Sequence, residues 1–227
     1  MPKPLRRSQP KRAFIIHGYQ SYPEEAWLPW LKAKLMKRSY RVALPAMPNP
    51  GRPSLPRWIS FIADLVGEPD GKTVMVGHSL GCQAVLRYLE KLGGAGKSVG
   101  RTVLVAGAFP IGMPLAEAKR KAGGNKAMVP WFTTTVDPKK VKAAAGKCTV
   151  ILSLDDPYIP AQQALADFRA NLNPRIVVEQ GKGHFNEDDH LTELPAALQA
   201  ATARDGFRQA GSAARLRPRP RRRRRRP

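Results

Sequence analysis

Along the chain, short uninterrupted apolar runs alternate with longer stretches in which apolar residues recur every three or four positions. The runs fall at 13–16, 40–44, 73–76, 102–105, 148–152 and 175–178, and each predicts a strand. Between them, Trp27, Leu31 and Leu35 mark one helical face, and Leu55, Trp58, Ile59, Ile62 and Val66 mark a second. Cys82, Val85, Leu86 and Leu89 mark a third, stopping at Gly93-Gly94; Leu165, Phe168 and Leu172 mark another, and Leu194 and Leu198 a closing helix. The run at 73–76 shows no polar alternation, so it must be covered on both faces and belongs at the centre of a sheet. Pro45, Pro48 and Pro50 end the second strand. Strands separated by helices predict an α/β fold, a mainly parallel sheet with right-handed crossovers and helices on both faces.

Composition narrows this without changing it. A chain of 227 residues, 42% apolar and 25% charged, suits one globular domain with tails. The formal charge of +22 is unevenly spread: 16 of the 39 basic residues but one of the 17 acidic ones, Asp205, lie in 1–12 and 201–227. The expected organisation is therefore a basic extension over 1–12, a folded domain over 13–204, and a disordered arginine- and proline-rich tail over 205–227. Such a tail either contacts nucleic acid or another acidic surface through its arginines, without reading sequence, or is a solvated tail with no partner. No apolar run approaches the roughly 20 residues that cross a bilayer, and no secretory h-region follows the N-terminus, so the expected location is cytoplasmic. Cys82 and Cys148 are too few for a disulfide framework, and no metal-ligand spacing is present, so neither metal nor cofactor is expected.

The residues that carry chemistry stand at strand ends. Gly77-His78-Ser79-Leu80-Gly81 matches G-x-S-x-G directly after the central strand and directly before an amphipathic helix, the one context in which that pentapeptide has mechanical meaning. There the serine projects above the sheet on a tight turn, and the N–H of Leu80, at the helix start, faces the place where an oxyanion would develop. A serine hydroxyl needs a base, and the base needs an orienting carboxylate. Asp155-Asp156-Pro157 follows the fifth strand and Gly183-His184-Phe185 the sixth, giving the order Ser, Asp, His expected of α/β-hydrolases. His184 is the expected base. One acid of the Asp155–Asp156 pair orients it while the other caps a turn, and Asp156 is favoured for the orienting role. His78 is the variable position of the motif, His17 lies in the first loop, and His190 lies among acids. His17-Gly18-Tyr19 follows the first strand, where either the N–H of Tyr19 is the second oxyanion donor or Gly18 makes a turn against which Tyr19 packs. Cys82, on the apolar face of the helix, reads as a buried inert thiol.

Taken together, Phe-Ile-Ile-His-Gly-Tyr at 14–19, Met-Pro-Asn-Pro at 47–50, Gly-His-Ser-Leu-Gly at 77–81, Asp-Asp-Pro at 155–157 and Gly-His-Phe at 183–185 resemble the small YdeN-like serine hydrolases, relatives of the retinoblastoma-binding-protein-type hydrolase. The resemblance covers about 13–200 and implies a compact α/β-hydrolase whose triad falls on Ser79, Asp156 and His184. Neither basic tail has a counterpart in it.

The segment 107–146 interrupts the strand rhythm and contains Met113, Met128, Trp131 and Phe132, which suits either a lid over an acyl pocket or helices packed over the sheet edge. Two functions are compatible with the sequence. The first is a serine hydrolase that cleaves a small-molecule acyl ester, thioester or amide through an acyl-enzyme. The second is a catalytically silent binding protein that holds nucleic acid or an acidic partner with its basic tails.

Overall fold

The computed structural model describes residues 10–203. Strands β1 (Lys11–Ile16), β2 (Tyr40–Ala43), β3 (Thr73–His78), β4 (Arg101–Val105), β5 (Lys147–Ser153) and β6 (Arg175–Glu179) form one sheet in the order β2-β1-β3-β4-β5-β6. Every neighbouring pair is parallel. The helices among the described residues are α1 (Leu28–Met36), α2 (Leu55–Val66), α3 (Leu80–Gly94), α4 (Leu115–Lys121), α5 (Val129–Thr133), α6 (Pro138–Ala144), α7 (Ala161–Asn171) and α8 (Pro195–Thr202), with a 3-10 turn at Lys126–Met128. Each apolar run in the sequence is thus a strand of one all-parallel sheet. Most of the basic extension and all of the tail at 205–227, with the disorder and partner contacts expected of them, lie outside the described residues.

Period-two alternation divides the core into two layers. Ala13, Ile15, Val74, Val76, Val103 and Val105 face α1 and α8, while Phe14, Ile16, Met75, Leu104, Val150 and Leu152 face α2, α3, α6 and α7. β3 is buried along its whole length, as its unbroken apolar run requires. The first strand begins two residues before the apolar run does, because Arg12 has partners there. Its guanidinium donates to Val66 O at 2.9 Å, to Thr73 Oγ1 at 3.3 Å and to Glu68 O, tying β1 to the turn before β3.

The segment 107–146 is anchored to the domain by a minority of buried residues, while many of its positions are exposed. Trp131 and Met128 are buried, with Trp131 edge-on to Trp58 at 5.4 Å between ring centroids and its Nε1–H donating to Pro53 O at 2.9 Å. Val141 and Ala144 of α6 are buried in the same layer as α3. Arg87, in the middle of α3, fastens this segment to the domain. Only 3% exposed, it donates to Gln83 Oε1 at 2.9 Å, Thr134 O at 2.9 Å, Thr134 Oγ1 at 3.0 Å and Trp131 O at 3.2 Å. Its guanidinium also lies 5.6 Å from the Trp131 ring centroid. Burial without a paired carboxylate pulls its pKa down to about 10, which leaves it charged at neutral pH. Arg87→Ala strands two carbonyls and opens a cavity, so unfolding in urea should show a loss of about 3 kcal/mol. A loss below about 0.5 kcal/mol, the range of an ordinary surface change, would mean the segment is held by other contacts.

Candidate active site

In the strand order the direction of progression reverses between β1 and β3, and the crevice outside the carboxyl ends of those two strands is where open α/β sheets place their ligands. Ser79 emerges there. It has φ 53° and ψ −121°, a left-handed conformation costly for a residue with a Cβ, of order 1–3 kcal/mol. Two hydrogen bonds hold it: Ser79 N donates to Val105 O at 2.9 Å, and Cys82 N donates to Ser79 O at 3.0 Å. The flanking glycines make the turn possible. A Cβ on Gly81 would lie 2.2 Å from Ile16 O, and one on Gly77 would lie 2.8 Å from Cys82 N, so strand, turn and helix could not close around any larger residue. Cys82 donates its thiol to Gly77 O at 3.1 Å and Val105 O at 3.2 Å, and its burial raises the thiol pKa, so it is a structural hydrogen-bond donor.

Above the elbow, three side chains from the ends of β3, β5 and β6 meet. Ser79 Oγ lies 2.8 Å from His184 Nε2, and His184 Nδ1 lies 2.9 Å from Asp156 Oδ2 and 3.0 Å from Oδ1. A carboxylate can only accept, so the imidazole proton sits on Nδ1 and the lone pair of Nε2 faces the serine hydroxyl. Asp156 Oδ1 is itself fixed by the N–H groups of Tyr158 at 2.9 Å and Ile159 at 3.0 Å. The Tyr158 ring stands edge-on to the imidazole, with centroids 4.9 Å apart.

The neighbouring acid has a different task. Asp155 Oδ1 accepts from Ser153 Oγ at 2.6 Å, Gly181 N at 2.9 Å and Lys182 N at 3.3 Å, and Oδ2 accepts from Gly183 N at 3.3 Å. The Ser153 hydroxyl first, then backbone amides, hold its pKa down to about 2, so it is an anion at neutral pH. Asp155 therefore clasps the turn that carries His184 while Asp156 touches His184 itself.

Two further side chains hold that turn, and neither role was legible from pattern. His78 Nε2–H donates to His184 O at 2.9 Å, and Trp27 Nε1–H donates to Phe185 O at 2.9 Å. The two rings pack edge-on at 5.8 Å. Trp27 read as part of a helical stripe, yet it stands at the N-cap of α1 and reaches a loop 158 residues away. His78 Nδ1 is buried without a partner, and desolvation first, then the nearby His184, lowers the His78 pKa to about 4. Below pH about 6.5 the unfolded chain takes a proton that the folded protein refuses until about pH 4, so stability decreases as the pH is lowered across that window. The loss is of order 3 kcal/mol between pH 7 and pH 4 for this group alone. Urea unfolding at several pH values should show it, with the slope reduced in His78→Gln; an unchanged slope in that variant would assign the effect elsewhere.

The first loop lies directly against Ser79: a Cβ on Gly18 would stand 2.9 Å from Ser79 Cβ. His17 is fully buried, accepts from Met47 N at 2.9 Å through Nε2, and has its pKa lowered by desolvation. It anchors the loop after β2. The Tyr19 hydroxyl accepts from Asn125 Nδ2 at 3.1 Å. His190 is exposed, and Met113 and Phe132 are half-buried. No helix of the described residues is long and apolar enough to cross a membrane, and no group of three or more His, Cys, Asp or Glu side chains among them is placed to hold a metal ion.

Residues 13–202 match the model of the family described as serine hydrolase. The chain is 32% identical over 194 residues to YdeN of Bacillus subtilis (strain 168), an alignment spanning 85% of this chain and 95% of that protein. It is 25% identical over 187 residues to the serine hydrolase RBBP9 of Rattus norvegicus, spanning 80% and 91%. The crystal structure of the ydeN gene product from B. subtilis superimposes with a TM-score of 0.70 at 28% identity, over 83% of this chain and 95% of that one. An all-parallel sheet of this order, an elbow serine at its switch point and these matches lead to one conclusion: the chain belongs to the serine hydrolase family and has the α/β-hydrolase fold.

Proposed function

We propose that the protein is a carboxylesterase-like serine hydrolase that cleaves small acyl esters, or the related thioesters and amides, through a Ser79–His184–Asp156 triad. The observation that carries this reading is the unbroken chain of contacts from Ser79 Oγ through His184 to Asp156, at 2.8 Å and 2.9 Å.

Ser79 Oγ attacks the acyl carbonyl carbon while His184 Nε2 takes its proton. Asp156 fixes the Nδ1–H tautomer and stabilises the imidazolium that forms. The carbonyl oxygen becomes an oxyanion that the backbone N–H groups of Leu80 and Tyr19 stabilise, donors of a kind that need little reorganisation. Collapse breaks the bond to the leaving oxygen, sulfur or nitrogen, which receives the proton from His184. Water, deprotonated by His184, then attacks the acyl-enzyme, and the acid leaves with Ser79 restored. His78 and Trp27 act through the backbone, holding the carbonyls of His184 and Phe185 so that the imidazole keeps its aim over Ser79.

The test is turnover of p-nitrophenyl esters of increasing acyl length by the purified full chain, with matched thioesters and anilides in parallel. Catalysed release from at least one series is expected. Release no faster than with heat-denatured protein in every series would reject the reading.

A further inference from the structure

A cavity of about 650 Å³ opens beside the first loop, lined by Gly51, Arg52, Gly124, Asn125, Lys126 and Ala127. Its size is that of a small-ligand site. Both ionisable residues in its wall are cationic, no acid lines it, and neither Arg52 nor Lys126 has a carboxylate partner among the described residues.

The Met47–Pro53 side of the wall shares its anchors with the loop beside Ser79. Between Met47 and Pro53 five backbone atoms are pinned. Met47 N donates to His17 Nε2 at 2.9 Å, Pro48 O accepts from Trp58 Nε1 at 2.8 Å, and Pro50 O accepts from Gln20 N at 3.0 Å. Gly51 O accepts from Asn125 Nδ2 at 2.8 Å, and Pro53 O from Trp131 Nε1 at 2.9 Å. His17 and Gln20 flank Gly18 and Tyr19, and Asn125 also donates to the Tyr19 hydroxyl at 3.1 Å. The backbone on that side is therefore held in register with the first loop beside Ser79, so a ligand group seated in the cavity would position the rest of the molecule relative to Ser79.

We propose that this cavity takes the anionic end of the acyl substrate, so that the preferred substrates are monoesters of dicarboxylic acids. The esterified carboxyl lies at Ser79 and the free carboxylate between Arg52 and Lys126. This rests on the hydrolase reading for the reaction itself: the ester C–O bond breaks, water supplies the hydroxyl and the proton, and the products are the alcohol and the dicarboxylic acid. Recognition of the carboxylate is independent of turnover.

The probes are p-nitrophenyl monoesters of succinate, glutarate, adipate and suberate, each compared with the neutral monocarboxylic ester of equal length. In the wild-type chain the ratio of kcat/KM for charged over neutral ester should peak at one chain length, the span from Ser79 to the cavity. At that length Arg52→Gln with Lys126→Gln should lower the ratio about fivefold, the scale of two partly exposed ion pairs. Arg169→Gln, which removes an exposed cation on α7, should leave the ratio in place. Binding of the same esters to the Ser79→Ala protein, followed by NMR titration, should show the same discrimination and the same loss. A ratio near one at every length, a ratio that survives the double substitution, or one that falls equally in Arg169→Gln would overturn the proposal, the last assigning the preference to overall positive charge. Discrimination in binding without hydrolysis of any ester would uphold the carboxylate site and reject the hydrolase reading, so the two fail separately.

Discussion

Ser79→Ala is expected to lower kcat/KM for the best p-nitrophenyl ester by about 10⁵-fold or more, and His184→Ala by a similar factor. Both substitutions remove the same event. Without the hydroxyl there is no acyl-enzyme, and without the imidazole the hydroxyl keeps its proton near neutral pH. In the proposed triad the two side chains act as one unit through a single 2.8 Å contact, so the double variant should be no slower than either single one. Residual turnover, roughly 10³-fold above water, would remain from the oxyanion donors and substrate binding. Folding should persist, since Ser79 is held by its backbone bonds to Val105 O and from Cys82 N, which alanine retains. Steady-state kinetics on the three variants checks this. Multiplying losses in the double variant would show that Ser79 and His184 contribute separately and that another nucleophile is at work.

The second large effect separates two adjacent acids. Asp156→Asn should lower kcat by about 10⁴-fold, because an amide can donate to His184 Nδ1 and so favour the tautomer whose proton faces the serine. Asp155→Asn should lower kcat only about tenfold. One amide oxygen can still accept from Ser153, Gly181 and Lys182, and the loss is in the aim of the turn. The loss in Asp156→Asn should shrink as pH rises, when hydroxide substitutes in part for the base, whereas the loss in Asp155→Asn should be flat above neutral pH, that carboxylate being ionised from about pH 2 upward. Equal losses at the two positions would mean that position in the fold, and not contact with the imidazole, decides their roles.

Much of the frame was legible because it follows from periodicity. Each apolar run became a strand, and the run without polar alternation became β3, buried on both faces. The helix at 55–66 was equally plain, its Trp58, Ile59, Ile62 and Val66 forming the buried stripe. α8 was marked in the sequence by Leu194 and Leu198, but the residues it buries are Ala197, Ala200 and Ala201, a stripe that small side chains leave faint in any hydropathy pattern. The elbow could be read because strand, G-x-S-x-G and helix are contiguous. The supports of the site could not, because they join residues far apart in the chain. Trp27 to Phe185, His78 to His184 and Arg87 to Thr134 are contacts between a side chain and a distant carbonyl, and every residue carries a carbonyl. Asp155 and Asp156 are indistinguishable by type; what separates them is the folded turn, where Ser153 and the amides of 181–183 hold one carboxylate and the amides of Tyr158 and Ile159 hold the other against His184.

The most direct test of the central claim is to treat the folded protein with a fluorophosphonate, digest it, and locate the adduct by tandem mass spectrometry. Irreversible phosphonylation of Ser79 is expected, fast in the wild-type chain, abolished in Ser79→Ala and strongly slowed in His184→Ala, whose serine lacks its base. An adduct on any other residue, or labelling of Ser79→Ala at the wild-type rate, would contradict the account.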